Sequence, residues 1–242
     1  MKKLFNLILL FFITINVFLS IDEMVLAQED KEINQKITIC DLKIREELEA
    51  INIDMAIPVI EGMKDKQVED KINQLIQEYA FNFKKELCTE SDEYLKDAKK
   101  EGWRIGKYQA LSYYIVHYQS KNMLSVSIFY YRYTLGAHGH TLQKAYNINL
   151  KNGELFMLST LFRDMEKARE VINKEIKRQI QLYPDLYFES GQVFRSISDN
   201  HPFYIIDGNI VIFFGLYEIA PYAYGIRYFK IPFSLIEMNI KF

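Results

Sequence analysis

Glycine, proline and histidine are all scarce in this chain of 242 residues, and no excess of positive or negative charge is present. Ten glycines and five prolines are too few for a disordered or fibrous chain. Lys and Arg number 30 against 32 Asp and Glu, which gives a formal net charge of −2. Nucleic acid rewards a clustered basic surface, so this balance argues against a nucleic-acid partner.

Sequence motifs for common catalytic and cofactor sites are absent as well. The chain has no His-Glu-x-x-His zinc motif, no Gly-x-Ser-x-Gly elbow and no phosphate-binding glycine loop. His138 and His140 stand two residues apart, as a metal pair on a strand requires, but zinc needs three or four protein ligands. The sequence therefore predicts no cofactor and no metal site. A site that folding completes with Glu218, Asp199 or His201 is the alternative.

The first 27 residues have the pattern of a secretory signal peptide. Lys2 and Lys3 precede an apolar run over residues 4–19, and residues 25–27 offer a cleavage site. The run approaches the roughly 18 residues of a membrane span, so an uncleaved anchor is the alternative. Either way we expect an extracytoplasmic protein, secreted or anchored at the outer face of the membrane. Membrane contact is expected only if the segment stays uncleaved.

After a flexible leader at residues 28–40, the hydrophobic periodicity predicts an α+β fold. We expect two similar subdomains, residues 41–135 and 136–242, each with a long helix packed on an antiparallel sheet. An apolar stripe predicts helices at about 68–87 and 164–182, and alternation predicts hairpins at about 109–133 and 203–214. Residues 89–107 are expected to form a charged connection in which Trp103 is a packing anchor.

The two cysteines, Cys40 and Cys88, are an even pair in a chain that we expect to be exported. That count permits a disulfide, which would tie the segment before the first strand to the end of the first helix. Two buried thiols are the alternative, because free cysteine is often buried.

Two segments combine small residues, aromatics and one ionisable group where a strand should turn. The first, at 133–140, contains Gly136, His138 and Gly139, and the second, at 217–225, contains Glu218 and Pro221. Because a buried carboxylate needs a partner, we expect Glu218 to pair with His138 and to set the fold. These five residues form the predicted structural motif.

The second segment is also rich in tyrosine, a side chain with a flat apolar face and a polar tip. Such rings favour contacts with sugars and protein partners. We therefore take Tyr217, Tyr222 and Tyr224 as candidate binding residues, together with His138 and His140. The alternative is that the rings fill a core between sheet and helix.

In this order, four segments resemble a known extracytoplasmic family. They are Tyr-Thr-Leu-Gly-Ala-His-Gly at 133–139, Asn-Ile-Asn-Leu-Lys-Asn-Gly-Glu at 147–154, Leu-Ser-Thr-Leu-Phe at 158–162 and Tyr-Glu-Ile-Ala-Pro-Tyr-Ala at 217–223. The family is the domain of unknown function shared by the extracytoplasmic part of the anti-sigma factor RsiV and the N-terminal part of the peptidoglycan deacetylase PdaC. The resemblance covers about residues 57–235 and implies a bacterial envelope domain with an α+β fold.

What the resemblance implies about function differs between the two proteins. In RsiV the corresponding region senses lysozyme by binding it, and in PdaC it precedes the catalytic domain. We expect this protein to have neither the sigma-binding segment of RsiV nor the deacetylase domain of PdaC. We therefore expect an exported, non-enzymatic binding or sensing module whose partner is a lysozyme-like protein or peptidoglycan glycan. The alternative is a small wall-active hydrolase, or a deacetylase-associated enzyme, that uses Glu218 with His138 or His140.

Overall fold

A computed structural model describes residues 37–236, which form two β-sheets with a long helix packed on each. The predicted signal segment and the leader up to residue 36 lie outside the described residues. The first sheet has the order β1 (Thr38–Glu47), β2 (Ile51–Glu61), β3 (Tyr108–Gln119), β4 (Met123–Tyr133) and β5 (His140–Asn149). The second has the order β6 (Phe203–Ile206), β7 (Asn209–Phe214) and β8 (Arg227–Pro232). The helices are α1 (Lys66–Glu101), α2 (Leu158–Leu161), α3 (Met165–Leu182) and α4 (Phe233–Ile236).

Helix α1 begins and ends at residues suited to those places. The Asp65 carboxylate accepts hydrogen bonds from the backbone N–H groups of Gln67 and Val68, and Gly102 ends the helix with a φ of 71°. The helix is longer than predicted because no glycine or proline interrupts it before Gly102. Trp103 follows the end of α1 with its ring exposed, so its prediction as a packing anchor was wrong.

Neighbouring strands pair antiparallel except β2 and β3, which pair parallel. A parallel pair needs a crossover, and α1 supplies it between these strands. One stripe of α1 packs on the first sheet and one stripe of α3 packs on the second, so each sheet has its own apolar core. This arrangement confirms the predicted α+β fold class. Within residues 37–236 no helix is long and apolar enough to cross a membrane.

The first sheet continues past residue 135, which is the predicted boundary between the two subdomains. Strand β5 pairs with β4 along its whole length, and a bridge from Ile148 to Leu155 extends this unit further. The two units also differ in size: the first has five strands and a helix of 36 residues, the second three strands and a helix of 18.

Buried polar side chains of the first sheet bind the outer edge of β6 in the second sheet. Ser125 Oγ accepts from the backbone N–H of Ile205 at 2.9 Å and donates to Asn147 Oδ1 at 2.7 Å. Asn147 Nδ2 donates to the carbonyl of Phe203 at 2.8 Å. These bonds satisfy backbone groups that would otherwise be unpaired on an edge strand. We call Ser125 and Asn147 the polar seam.

The possible bridge between Cys40 and Cys88 is not formed: both cysteines are free, and both are half-buried. Cys40 Sγ lies 3.5 Å from Glu61 Oε2 on β2. Burial raises the pKa of the Cys88 thiol, which also feels the charge of Glu46 at the other end of β1. Six residues of strand separate Cys40 from Glu46, about 20 Å at the usual rise. Cys88, near Glu46, is therefore far from Cys40, whereas a disulfide joins Cα atoms no more than about 7 Å apart.

Candidate functional site

The two segments singled out in the sequence meet in space as loops from different units. We call residues 134–139, between β4 and β5, the histidine loop, and residues 215–226, between β7 and β8, the tyrosine loop. The His138 ring stacks on Tyr222 with centroids 3.9 Å apart. Tyr222 Oη donates to the carbonyl of Gly139 at 2.8 Å, and Tyr217 Oη lies 3.3 Å from His138 Nε2. The loops therefore form one joined site.

The hydrogen bonds of His138 fix its tautomer. Nδ1 lies 2.9 Å from the carbonyl of Gly139, which can only accept, so Nδ1 carries the proton. In the neutral ring Nε2 then has the lone pair and accepts from the hydroxyl of Tyr217. The arrangement holds the Tyr217 ring by its tip, with its centroid 5.6 Å from that of Tyr222.

Gly139 is the point at which the histidine loop packs on the first sheet. A Cβ atom there would lie 2.2 to 2.3 Å from Tyr131 ring atoms on β4, so no larger residue fits without movement. Gly136 is different, because the nearest atom to a Cβ there is the carbonyl oxygen of His138 at 3.9 Å. Of these two motif glycines, Gly139 is the one that has no room for a Cβ atom.

Both loops contain a residue other than glycine in the left-handed region. Leu135 has a φ of 64° and Tyr217 a φ of 65°. Such a conformation costs about 1 kcal/mol or more for a residue with a Cβ. Glu189 and Ser190 are also left-handed, in a turn where the N–H of Phe188 donates to the carbonyl of Ile219 at 3.1 Å. Backbone strain is thus concentrated around the tyrosine loop, as it often is at functional sites.

Glu218 does not pair with His138, and this prediction was wrong. Its Oε2 accepts from the backbone N–H of Gly215 at 2.7 Å, within its own loop. The side chain is exposed, so no burial cost requires a distant partner. The charge of Glu218 instead affects His201, which is buried. Burial lowers the pKa of His201, and the negative charge of Glu218 partly offsets this by raising it. Glu218 is thus engaged with its own loop, and His138 with Gly139 and Tyr217.

The remaining predicted residues occupy different positions around the site. Tyr217 and Tyr224 are exposed, whereas Tyr222 is half-buried against His138. Pro221 caps the short helical turn that carries Tyr222 and Tyr224. His140 is exposed at the start of β5, paired through the backbone with Arg132. Across residues 37–236, no three His, Cys, Asp or Glu side chains gather closely enough to hold a metal ion.

Arg227 and Tyr187 support the tyrosine loop, and sequence reasoning missed both. Arg227 Nη1 donates to the carbonyl of Tyr224 at 3.2 Å, and Nη2 donates to Tyr187 Oη at 3.0 Å. The guanidinium lies over the Tyr187 ring, 4.8 Å from its centroid. Forty residues separate the two side chains in sequence, so no local pattern could indicate their contact.

Comparisons with known proteins cover nearly the whole described chain. Residues 44–141 match the family model described as Deacetylase PdaC, and residues 159–234 match Protein of unknown function (DUF3298). The anti-sigma-V factor RsiV of Bacillus subtilis is 29% identical over 205 residues, which span 81% of this chain and 68% of RsiV.

Two solved structures of DUF3298 proteins share the fold. The one from Bacteroides fragilis has a TM-score of 0.68 and 20% identity, covering 86% of this chain and 95% of its own. The one from Pseudomonas aeruginosa has a TM-score of 0.60 and 16% identity, covering 85% and 95%. The two family models and the similarity to RsiV confirm the resemblance found in the motifs: residues 44–141 carry a PdaC-like segment and residues 159–234 a DUF3298 segment, in the order seen in an RsiV-like domain.

Proposed function

We propose that this chain is an exported, non-enzymatic sensing module of the bacterial cell envelope. Its ligand is a lysozyme-like protein or a peptidoglycan glycan, bound at the tyrosine loop. The similarity to RsiV, an anti-sigma factor, supports a signalling role outside the cytoplasm. The match to the PdaC family supports work at the cell wall.

The conformation of Tyr217 is the observation that carries the proposal. Its backbone is left-handed, at a cost of about 1 kcal/mol, yet 51% of the residue stays exposed to solvent. The hydroxyl is held by His138, so the ring has a fixed direction. A rigid, half-exposed tyrosine is typical of a residue that contacts a partner.

The rest of the site supports binding by preorganisation. Tyr222 is fixed by its stack on His138 and its hydrogen bond to Gly139, and Arg227 holds the backbone of Tyr224. A ligand that meets rigid side chains loses less affinity to ordering them. Glu218 is engaged with its own loop, which favours a binding role for the site over acid–base catalysis.

The test is biolayer interferometry with immobilised protein, residues 28–242, against lysozyme and against a soluble wall-glycan fragment. We expect saturable binding of one of them that Tyr217→Ala weakens at least tenfold, about 1.4 kcal/mol, as for a hot-spot residue. Tyr183→Ala is the matched control, because Tyr183 is an exposed tyrosine after the end of α3. Equal binding by Tyr217→Ala would remove the tyrosine loop from the site. Binding of neither ligand would overturn the function.

A further inference from the structure

Within residues 37–236 the two sheets have four edge strands, and three of these edges are protected against pairing with another chain. On β1, charged residues stand at alternate positions. The outer edge of β6 is bonded to the polar seam. On β8, Gln179 Nε2 donates to the carbonyl of Lys230 at 2.8 Å, and Pro232 has no N–H to offer. The edge of β5 is the exception.

The outer edge of β5 presents backbone groups that no strand pairs with. Backbone groups of successive residues point to alternate sides of a strand. The carbonyl of Asn147 points outward, because it accepts from the N–H of Phe156 at 2.7 Å. Since β5 pairs with β4 in unbroken register, Thr141, Gln143 and Ala145 also present their N–H and C=O groups outward. We call residues 141–145 the open edge.

The open edge lies between two positions that are already bonded. At one end the carbonyl of Gly139 accepts from Tyr222 Oη, and at the other the carbonyl of Asn147 is occupied. Between them, the outward backbone groups of the open edge have no hydrogen-bond partner in residues 37–236. Gln143 is only 6% exposed, so its unpaired groups reach little water. Buried backbone groups almost always have a partner, which points to the backbone of another chain.

The side chains of the open edge favour an acidic neighbour. Leu142 and Lys144 lie opposite Tyr130 and Ile128 of β4, so they share the face that carries α1. Leu142 is 40% exposed. Lys144 is half-buried, with Nζ 3.7 Å from the centre of the Tyr79 ring. Burial lowers the pKa of this ammonium, and no carboxylate among the described residues offsets the shift. A carboxylate on a neighbouring strand would pair with it.

We propose that the open edge binds an extended segment of a partner protein as an added antiparallel strand. Main-chain hydrogen bonds to the open edge supply the affinity, as in other cases of strand addition. An acidic residue opposite Lys144 and an apolar residue opposite Leu142 supply the selectivity. Antiparallel pairing is the more stable per residue, and it places the acidic residue two positions before the apolar one. This surface is separate from the tyrosine loop, and the inference does not depend on what that loop binds.

The first test is fluorescence anisotropy of a labelled peptide, Thr-Ile-Thr-Glu-Thr-Ile-Thr, with the chain, residues 28–242. Its glutamate fits opposite Lys144 when an isoleucine lies opposite Leu142. We expect saturable binding that Lys144→Glu weakens about tenfold, and we expect a peptide with lysine in place of glutamate to restore binding to this variant. Lys177→Glu, which changes an exposed lysine on α3, is the control and should bind as the wild type does.

The second test addresses the backbone of the open edge. An edge strand tolerates proline where the N–H points away from the sheet, so Ala145→Pro should fold. It removes one outward N–H and should abolish binding of the peptide. If Ala145→Pro does not fold, Thr141→Pro should act likewise at the other end. N-methylation of the two threonines beside the glutamate should also abolish binding, because their N–H groups face the open edge in an antiparallel pair.

The outcomes separate this inference from the proposed function. Tyr217→Ala should bind the peptide as the wild type does, whether or not it binds lysozyme. No saturable binding, or equal binding by the wild type, Lys144→Glu and Ala145→Pro, would overturn the inference. Loss of peptide binding in Tyr217→Ala would place the peptide at the tyrosine loop and overturn it too. A wild-type dimer that Ala145→Pro dissociates in analytical ultracentrifugation would put a second copy of the chain on the open edge, with the same consequence.

Discussion

At the scale of single residues, the two motif glycines differ in what requires them. Gly139 lies against the ring of Tyr131, and a Cβ atom would overlap it. Gly136 has open space at the same place. The sequence presents both as members of one motif, but only packing shows that the loop depends on the first.

We predict that Gly139→Ala lowers the free energy of unfolding by about 1–3 kcal/mol, as overpacking does. Tyr131 must move, and the carbonyl that binds His138 and Tyr222 moves with Gly139. Gly136→Ala is the control and should change stability by less than about 0.5 kcal/mol. Urea unfolding followed by circular dichroism compares them. Equal losses in both variants would show that space at residue 139 is not the cause.

Sequence motifs singled out the two loops that meet in space, but not the partners of their side chains. His138 meets Tyr217 across 79 positions of chain, which no local pattern reveals. Glu218 was assigned to His138 on the cost of a buried charge, but the N–H of Gly215 is only three residues away. A local partner orders less of the chain, so it competes well with a distant one.

At the scale of elements, periodicity predicts those with a strong apolar pattern. The helix expected at about 164–182 is α3, Met165–Leu182, and the last hairpin is β6 and β7. Strand β1 was largely missed because alternate positions are charged, as suits an edge strand. The last third of α1 was missed because its fully buried residues are small, namely Ser91 and Ala98. The parallel pairing of β2 with β3 has no signal in either strand alone.

The polar seam makes the next prediction, since it joins elements from both units. Asn147→Ala removes the donor to the Phe203 carbonyl and the acceptor for Ser125, leaving buried groups unpaired. We expect a loss of about 1–3 kcal/mol in the free energy of unfolding. Asn200→Ala is the matched control, because the hydrogen bond of its side chain with Ser159 is exposed. Chemical denaturation of both variants measures the two losses. Equal losses would contradict the prediction that the buried hydrogen bonds of the polar seam stabilise the fold.

At the scale of the whole molecule, the site exists only when the two units are assembled. His138 belongs to the first unit and Tyr217 to the second, and the polar seam joins their sheets. A further contact is the stack of His117, on β3, with Tyr204, on β6, with centroids 3.8 Å apart. The boundary between units that the sequence suggested thus runs through the candidate binding site.

Buried His201 and half-buried His117 make this assembly sensitive to acid. Burial lowers the pKa of His117 to about 4, and it lowers the pKa of His201 as well. In the unfolded chain a histidine titrates near 6.5, so below that pH the unfolded state binds more protons than the folded state. The contribution of these two histidines to the free energy of unfolding is therefore fully present above about pH 6.5, and it decreases as the pH falls toward 4.

We predict that His117→Phe reduces this dependence on pH. Phenylalanine keeps the stack on Tyr204 but removes Nε2, which is buried without a hydrogen-bond partner. The variant should gain about 1 kcal/mol at pH 7 and more at pH 5, with a remaining slope from His201. Calorimetric melting between pH 7.5 and 4.5 measures it, with exposed His140→Gln as the control that keeps the wild-type slope. A wild-type slope in His117→Phe would mean that other groups make the assembly sensitive to acid.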